Sequence, residues 1–315
     1  MYGLPVGASL PEQIVDSLHD LNGRHPETRA VHAKGIVCSG SFEATPEAAR
    51  LTRAAHMQGG RVKATVRFSN GGGDPGTRDS RKDGRGLAVK LYLDDGSRTD
   101  LVAITLPCFF VRTAEDFLEF TRARKPLEDT GEPDLAKVGA FLEAHPEALP
   151  AIQHALSQPA PASYAQLHYN GIHAFRWVAA DDSARWIRFG FVPEAGVAGI
   201  SEEEARERPP DYLKEELRDR LEQGPVEFAL DVSVATDEDD PHDPTTAWPE
   251  ERERVRVGTL RVDGLDSERE RGGDVLVFDP TRVVDGVELS EDQILRVRPD
   301  AYAVSVERRS GATRG

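Results

Sequence analysis

The sequence is poor in sulfur, with two cysteines, Cys38 and Cys108, and two methionines in 315 residues. Two thiols are too few for a disulfide framework or a thiolate metal cage, so both are read as small apolar residues, and a reducing, cytoplasmic setting is expected. Cations are also scarce: 39 Lys and Arg stand against 55 Asp and Glu, a formal charge of −16. Nucleic acids are held by clustered cations, so no nucleic-acid partner is expected. The surplus acid collects in runs such as 202–204 and 237–240, which read as solvated surface. No stretch approaches the roughly 20 apolar residues of a membrane span. The opening MYGLPVGASLPEQIVDS has no basic segment followed by an apolar core, so no secretory signal is expected there.

What is present is a chain of short periodic segments. Ile14, Val15 and Leu18 have helical spacing and predict a helix over 11–21. Val62, Ala64, Val66 and Phe68 alternate with Lys63, Thr65, Arg67 and Ser69, a period of two that sends the sets to opposite faces of a strand broken by Gly71–Gly73. Strands are predicted over 86–93, 101–105, 228–234 and 255–262, and a hairpin joins 173–179 to 185–192 through Ala180-Asp181-Asp182-Ser183. Helical patterns cover 114–157, 201–222 and 290–309. Many strands with inserted helices predict an α+β fold around an antiparallel barrel. With no repeat and no composition break, one domain is expected over 1–310, with 311–315 as a flexible tail.

Three clusters carry polar groups suited to chemistry. In the last helix Arg298, Tyr302 and Arg309 lie within roughly 40° of one another at about 100° per residue. An adjacent cation favours the phenolate over the phenol, and tyrosinate is one of the known ligands of haem iron. Most helical Arg/Tyr pairs are packing, so this helix alone does not decide. The second cluster is RAVHAKG at 29–35, a strand-like segment around His32, and the third is VRFS at 66–69. An arginine such as Arg67 pointing into a barrel is costly unless it meets an anion.

Taken in order, these clusters resemble the catalase superfamily along nearly the whole chain. RAVHAKG at 29–35, SFEAT at 41–45, VRFSN at 66–70, DGRGLAVKLY at 83–92 and LPCFFVR at 106–112 each have a counterpart. So do YNGIHAF at 169–175, TTAWP at 245–249, FDPT at 278–281 and RPDAYAVSVERR at 298–309. The resemblance implies an eight-stranded antiparallel barrel with helical insertions and a C-terminal proximal helix, holding haem b, iron protoporphyrin IX. It implies that His32 is the distal catalytic histidine with Ser69 bonded to it. Tyr302 would be the axial iron ligand, activated by Arg298. Arg29, Arg67 and Arg309 fall on propionate-binding positions, and Val31, Phe109 and Phe117 on the apolar lining of the distal pocket. His173 and Asp292 match a pair behind the tyrosine that tunes its ligand strength.

Two departures shape the expected activity. The family's distal asparagine position is filled by Ile104, or by Thr105 if the register slips by one, and isoleucine cannot hydrogen-bond. The family's long N-terminal arm and C-terminal additions have no counterpart in the sequence, which implies a looser or smaller homo-oligomer and a more open pocket. Both point to the small catalase-related peroxidase branch. The expected enzyme is a haem peroxidase that reduces hydrogen peroxide or organic hydroperoxides with a small-molecule reductant and has weak catalase activity. The alternatives are a haem hydroperoxide lyase or isomerase of the allene oxide synthase type and a non-catalytic haem-binding protein.

Overall fold

The structure is a computed structural model that describes residues 7–127, 129–267 and 276–311. Of the expected tail, Gly311 ends the last helix, while 312–315 lie outside the described residues. In chain order the first half contains α1 Leu10–Asn22, β1 Gly35–Ala44, α2 Ala48–Leu51, β2 Arg61–Asn70, β3 Arg85–Tyr92 and β4 Arg98–Ile104. Then come α3 Ala114–Ala123, α4 Leu135–Ala144, α5 Leu149–Ser157, β5 Ala160–Pro161, β6 Tyr169–Asn170 and β7 Phe175–Val178. The remainder is β8 Ala184–Pro193, β9 Gly199–Ile200, α6 Glu202–Glu207, α7 Tyr212–Gln223, β10 Val226–Val234, β11 Arg254–Leu265, β12 Val287–Leu289 and α8 Gln293–Gly311.

Eight antiparallel strands run in the order β10-β11-β1-β2-β3-β4-β6-β8, and the pairing of β8 with β10 closes them into a barrel. Closure leaves the wall without open edges. β7 and β12 extend the sheet from β8, and β5 with β9 form a separate two-stranded ribbon. Register fixes which side of each strand faces in. Ala64, Val66 and Phe68 pair with Leu91, Val89 and Leu87, and all six belong to the buried apolar cluster that fills the barrel. Phe68 meets Tyr169 and Phe228 there at ring separations of 6.1 and 6.0 Å.

The alternate residues of β2 therefore face away from the barrel interior. This corrects the expectation for Arg67: with Ser69 it lies on the outer face of the wall, buried there at 5% and 4% exposure under other elements. The turn around His32 touches both side chains, and α1, α3 and α8 pack with one another and with that turn's Ala30 and Val31 through Ile14, Val15, Leu18, Ala114, Leu118, Val297 and Val304. Both long helical predictions are interrupted. Residues 114–157 form α3, α4 and α5, with a turn between α3 and α4 where Pro126 and Pro133 bridge. Residues 201–222 form α6 and α7, parted at Pro209-Pro210, where proline removes an amide donor and clashes with the preceding turn.

Candidate active site

The segment around His32 is a turn rather than a strand. His32 has φ 54, a left-handed conformation that costs a non-glycine residue about 1–2 kcal/mol. The turn is held by amides: His32 N donates to Gly71 O at 3.2 Å and Ala33 N donates to Gly72 O at 3.1 Å. Glycine is required beside it, because a Cβ on Gly73 would collide with the carbonyl oxygen of Ala30. The guanidinium of Arg67 closes the turn, donating from Nη2 to His32 O at 2.9 Å and Ala33 O at 3.3 Å.

Strand pairing then aims a row of residues at the imidazole. Ser69 pairs with Gly86 and Gly86 with Ile104, so the three lie side by side on the outer face of the wall. Ser69 Oγ and His32 Nδ1 are 3.0 Å apart, which leaves Nε2 for a substrate. Gly86 has no side chain where one would press on both groups. Ile104 is the residue on this face, and it packs against the cluster of Phe109, Phe110 and Phe117. Thr105 has its hydroxyl engaged elsewhere, accepting from Arg85 N at 3.0 Å.

His32 is half-buried and its pKa is lowered to about 3, first by burial and then by the positive charges of Arg67, Arg298 and Arg29. The imidazole is neutral at physiological pH, the form that can accept a proton. α8 brings the second group: Arg298 Nη1 donates to Tyr302 Oη at 3.4 Å, across one helical turn. Behind them His173 Nδ1 bonds Asp292 Oδ2 at 2.6 Å, and both residues are buried. Burial and the nearby Arg298 lower the His173 pKa to about 4. Burial pushes the Asp292 carboxyl up, but its bonds to His173 and to the amides of Ile294 and Leu295 bring it below its ordinary value. The pair is thus a neutral imidazole donating to a carboxylate, and His173 Nε2 is buried without a hydrogen-bond partner among the described residues.

The predicted propionate arginines come from three places: the segment before β1, the barrel wall and the last helix. Arg29 donates from Nη2 to Leu276 O at 2.7 Å, and Arg67 sits on β2. Arg309, near the end of α8, is desolvated and has no hydrogen-bond or ion-pair partner among the described residues. The charges that weigh most on His32 are those of three guanidinium groups, Arg67, Arg298 and Arg29. Such a cationic, partly enclosed space fits a cofactor bearing carboxylates. The apolar residues Val31, Phe109 and Phe117 join the clusters flanking this space, and Val31 shares one of them with Val297 and Val304 of α8. Two contributors were not singled out from the sequence. Phe110 was legible in the double phenylalanine of LPCFFVR, whereas Gly86 carries no local signal.

Comparison with known proteins agrees with this geometry. The family model described as Catalase matches residues 11–314. The catalase-related peroxidase of Mycolicibacterium paratuberculosis is 43% identical over 98% of this chain and 97% of its own length. That of Synechococcus elongatus is 32% identical over 95% and 88%. Among solved structures, catalase A from Saccharomyces cerevisiae superimposes with a TM-score of 0.83 at 25% identity, covering 94% of this chain. A bacterial catalase gives 0.80 at 26% identity, covering 91%. The chain spans 64% and 58% of the length of those two catalases. The catalase family is haem-dependent in general. This chain belongs to the catalase family and is an oxidoreductase acting on peroxide.

Proposed function

We propose that the chain is a haem-dependent peroxidase that reduces hydrogen peroxide or organic hydroperoxides with an external electron donor, and that its catalase activity is weak. The observation that carries this reading is the pairing of a neutral, serine-bonded His32 with an isoleucine where a second hydrogen-bonding side chain would stand. Haem b fits the residues present: Tyr302, held by Arg298, as iron ligand, and Arg29, Arg67 and Arg309 for its propionates. Barrel wall and helices both contribute to this site, consistent with one domain over 1–310. When bound, the haem supplies the redox equivalents and the Lewis acidity that the side chains lack.

His32 Nε2 takes the hydroperoxide proton and passes it to the leaving oxygen, which departs as water or an alcohol. Because the imidazole is a weak base here, it returns the proton readily. Such general acid–base catalysis is worth about 10²- to 10⁴-fold. Ser69 holds the ring's orientation through its contact with Nδ1. Arg298 stabilises the negative charge of the Tyr302 oxygen, and the His173–Asp292 pair fixes the surroundings of Arg298. Ile104, Phe109, Phe117 and Val31 give hydrogen peroxide no hydrogen bond but give an organic hydroperoxide apolar contact. Dismutation needs a second hydrogen peroxide to be oriented, so it suffers most.

The test compares oxygen evolution from hydrogen peroxide with dye oxidation driven by hydrogen peroxide and by cumene hydroperoxide, on haem-loaded protein. Dye oxidation is expected to dominate, and His32→Ala is expected to keep haem while losing about 10²- to 10⁴-fold in turnover. Dominant oxygen evolution, or full turnover in His32→Ala, overturns the reading.

A further inference from the structure

His32 keeps a left-handed backbone, and such a conformation persists only where the surroundings fix it. Arg67 fixes the carbonyl side of that turn. Further restraints lead away from the pocket to one carboxylate. Asp79 is fully buried, at 0% exposure, in the connection between β2 and β3. Its Oδ1 accepts from Asn70 Nδ2 at 2.8 Å and lies 2.8 Å from Lys34 Nζ. Its Oδ2 accepts from Leu213 N at 2.9 Å, in the first turn of α7. The backbone of Asp79 is tied as well: the amide donates to Pro210 O at 2.9 Å, and the carbonyl accepts from Arg85 Nη2 at 2.7 Å.

Three of those partners adjoin the row beneath the imidazole. Asn70 follows Ser69, Arg85 precedes Gly86, and Lys34 stands two residues after His32. Asn70 N also donates to Lys34 O at 3.0 Å, which joins two of the arms. Tyr164 Oη donates to Asn70 Oδ1 at 2.7 Å, so the side-chain amide keeps its NH2 group towards Asp79. Lys34 Nζ further donates to Thr77 O at 2.8 Å and Pro210 O at 2.9 Å, and meets the exposed Asp211 at 2.6 Å. A buried ion pair is poor evidence of stability, because desolvation offsets the attraction. What it fixes here is geometry, since it holds several segments in the arrangement that satisfies these buried donors.

We propose that Asp79 is a positioning residue: it sets the His32–Ser69 contact through Lys34 and Asn70, and places Gly86 against that contact through Arg85. It acts through these neighbours rather than on the substrate. The proposal rests on the role given to His32 in the peroxidase reading and adds what holds that group in place. Loosening the hub lets the imidazole and the hydroxyl drift apart, and a drift of about 1 Å at a catalytic group costs about 10²-fold.

The test measures cyanide association and cumene hydroperoxide turnover on haem-loaded full chain, at a temperature where circular dichroism shows each variant folded. Hydrogen cyanide gives up its proton to a nearby base as it binds, so its association rate reports the position of His32 without turnover. Asp79→Asn keeps the shape but offers Lys34 and Asn70 a weaker acceptor. It should slow both rates about a hundredfold at equal haem content. Its crystal structure should show Ser69 Oγ and His32 Nδ1 parted beyond hydrogen-bonding distance. Asn70→Leu cuts one arm while leaving Asp79 its bonds to Lys34 and Leu213 N, and should cost about tenfold; it carries the test if Asp79→Asn does not fold. In a His32→Ala background neither substitution should slow turnover further, whereas a general loss of structure would slow it again. Unchanged cyanide association with the 3.0 Å contact kept, or an equal further loss in the His32→Ala background, overturns the proposal. Full turnover in His32→Ala would instead defeat the role given to His32, and the Ser69–His32 distance in Asp79→Asn would still decide the part played by Asp79.

Discussion

Gly86→Ala adds one methyl group at the point where three strands present their outer faces to His32. Gly86 has no left-handed φ, so alanine meets no backbone strain there. The difficulty is space: the new Cβ would lie 2.8 Å from Ser69 Oγ and 3.0 Å from His32 Nδ1 and Cε1, where ordinary contact is 3.4–4 Å. Relief requires the imidazole or the hydroxyl to retreat by several tenths of an ångström, which breaks the 3.0 Å bond that orients the ring. Misplacing a catalytic group by about 1 Å costs about 10²-fold, and losing it altogether costs about 10²- to 10⁴-fold. Overpacking should cost about 1–3 kcal/mol of stability. We expect Gly86→Ala to retain haem, read from its absorbance, and to reduce cumene hydroperoxide about a hundredfold more slowly. Adding Ser69→Ala removes the nearest contact but also the bond that orients the ring, and leaves the contacts to the ring itself, so it should not restore the rate. Unchanged turnover in Gly86→Ala at equal haem content would refute the role assigned to the Ser69–His32 bond.

Three further perturbations test separate parts of the molecule. Ile104→Asn puts a hydrogen-bonding side chain in the row beside Gly86, and should raise oxygen evolution relative to dye oxidation; a fall in that ratio would show that the isoleucine is not what limits dismutation. Arg309→Gln removes a desolvated cation without an acid partner among the described residues, so hemin titration should give about tenfold weaker uptake; equal affinity would exclude a propionate contact. His56 is buried at 2% exposure with Nδ1 lacking a hydrogen-bond partner, and burial lowers its pKa from 6.5 to about 4. The unfolded chain then takes up a proton as pH falls below about 6.5 while the folded chain does not, so stability is lost between about 6.5 and 4. The loss amounts to about 1.4 kcal/mol per pH unit for this group. His56→Leu should flatten the dependence of urea-unfolding stability on pH by that amount, and an unchanged slope would contradict the burial of a neutral imidazole.

What the sequence conveys about this site follows from the range over which each constraint acts. The alternation along β2 was legible because side-chain direction is a property of the strand itself. Which face is enclosed by what is not local: residues 64–70 are buried on both sides, with the barrel core on one and the turn around His32 on the other, so polarity there separates two interiors rather than inside from outside. Alternation alone therefore points Arg67 into the barrel, whereas it lies buried on the outer face. The left-handed turn at His32 escaped for a related reason, since its amides are satisfied by Gly71 and Gly72, about 40 residues away, and nothing in RAVHAKG itself requires φ 54. That Ile104, and not Thr105, stands in the row beside Gly86 is seen only when β4 is paired with β3. Motifs can place the groups suited to proton transfer, whereas the row that sets Ser69, Gly86 and Ile104 side by side beneath the imidazole comes from pairing between strands far apart in sequence and exists only once the chain has closed.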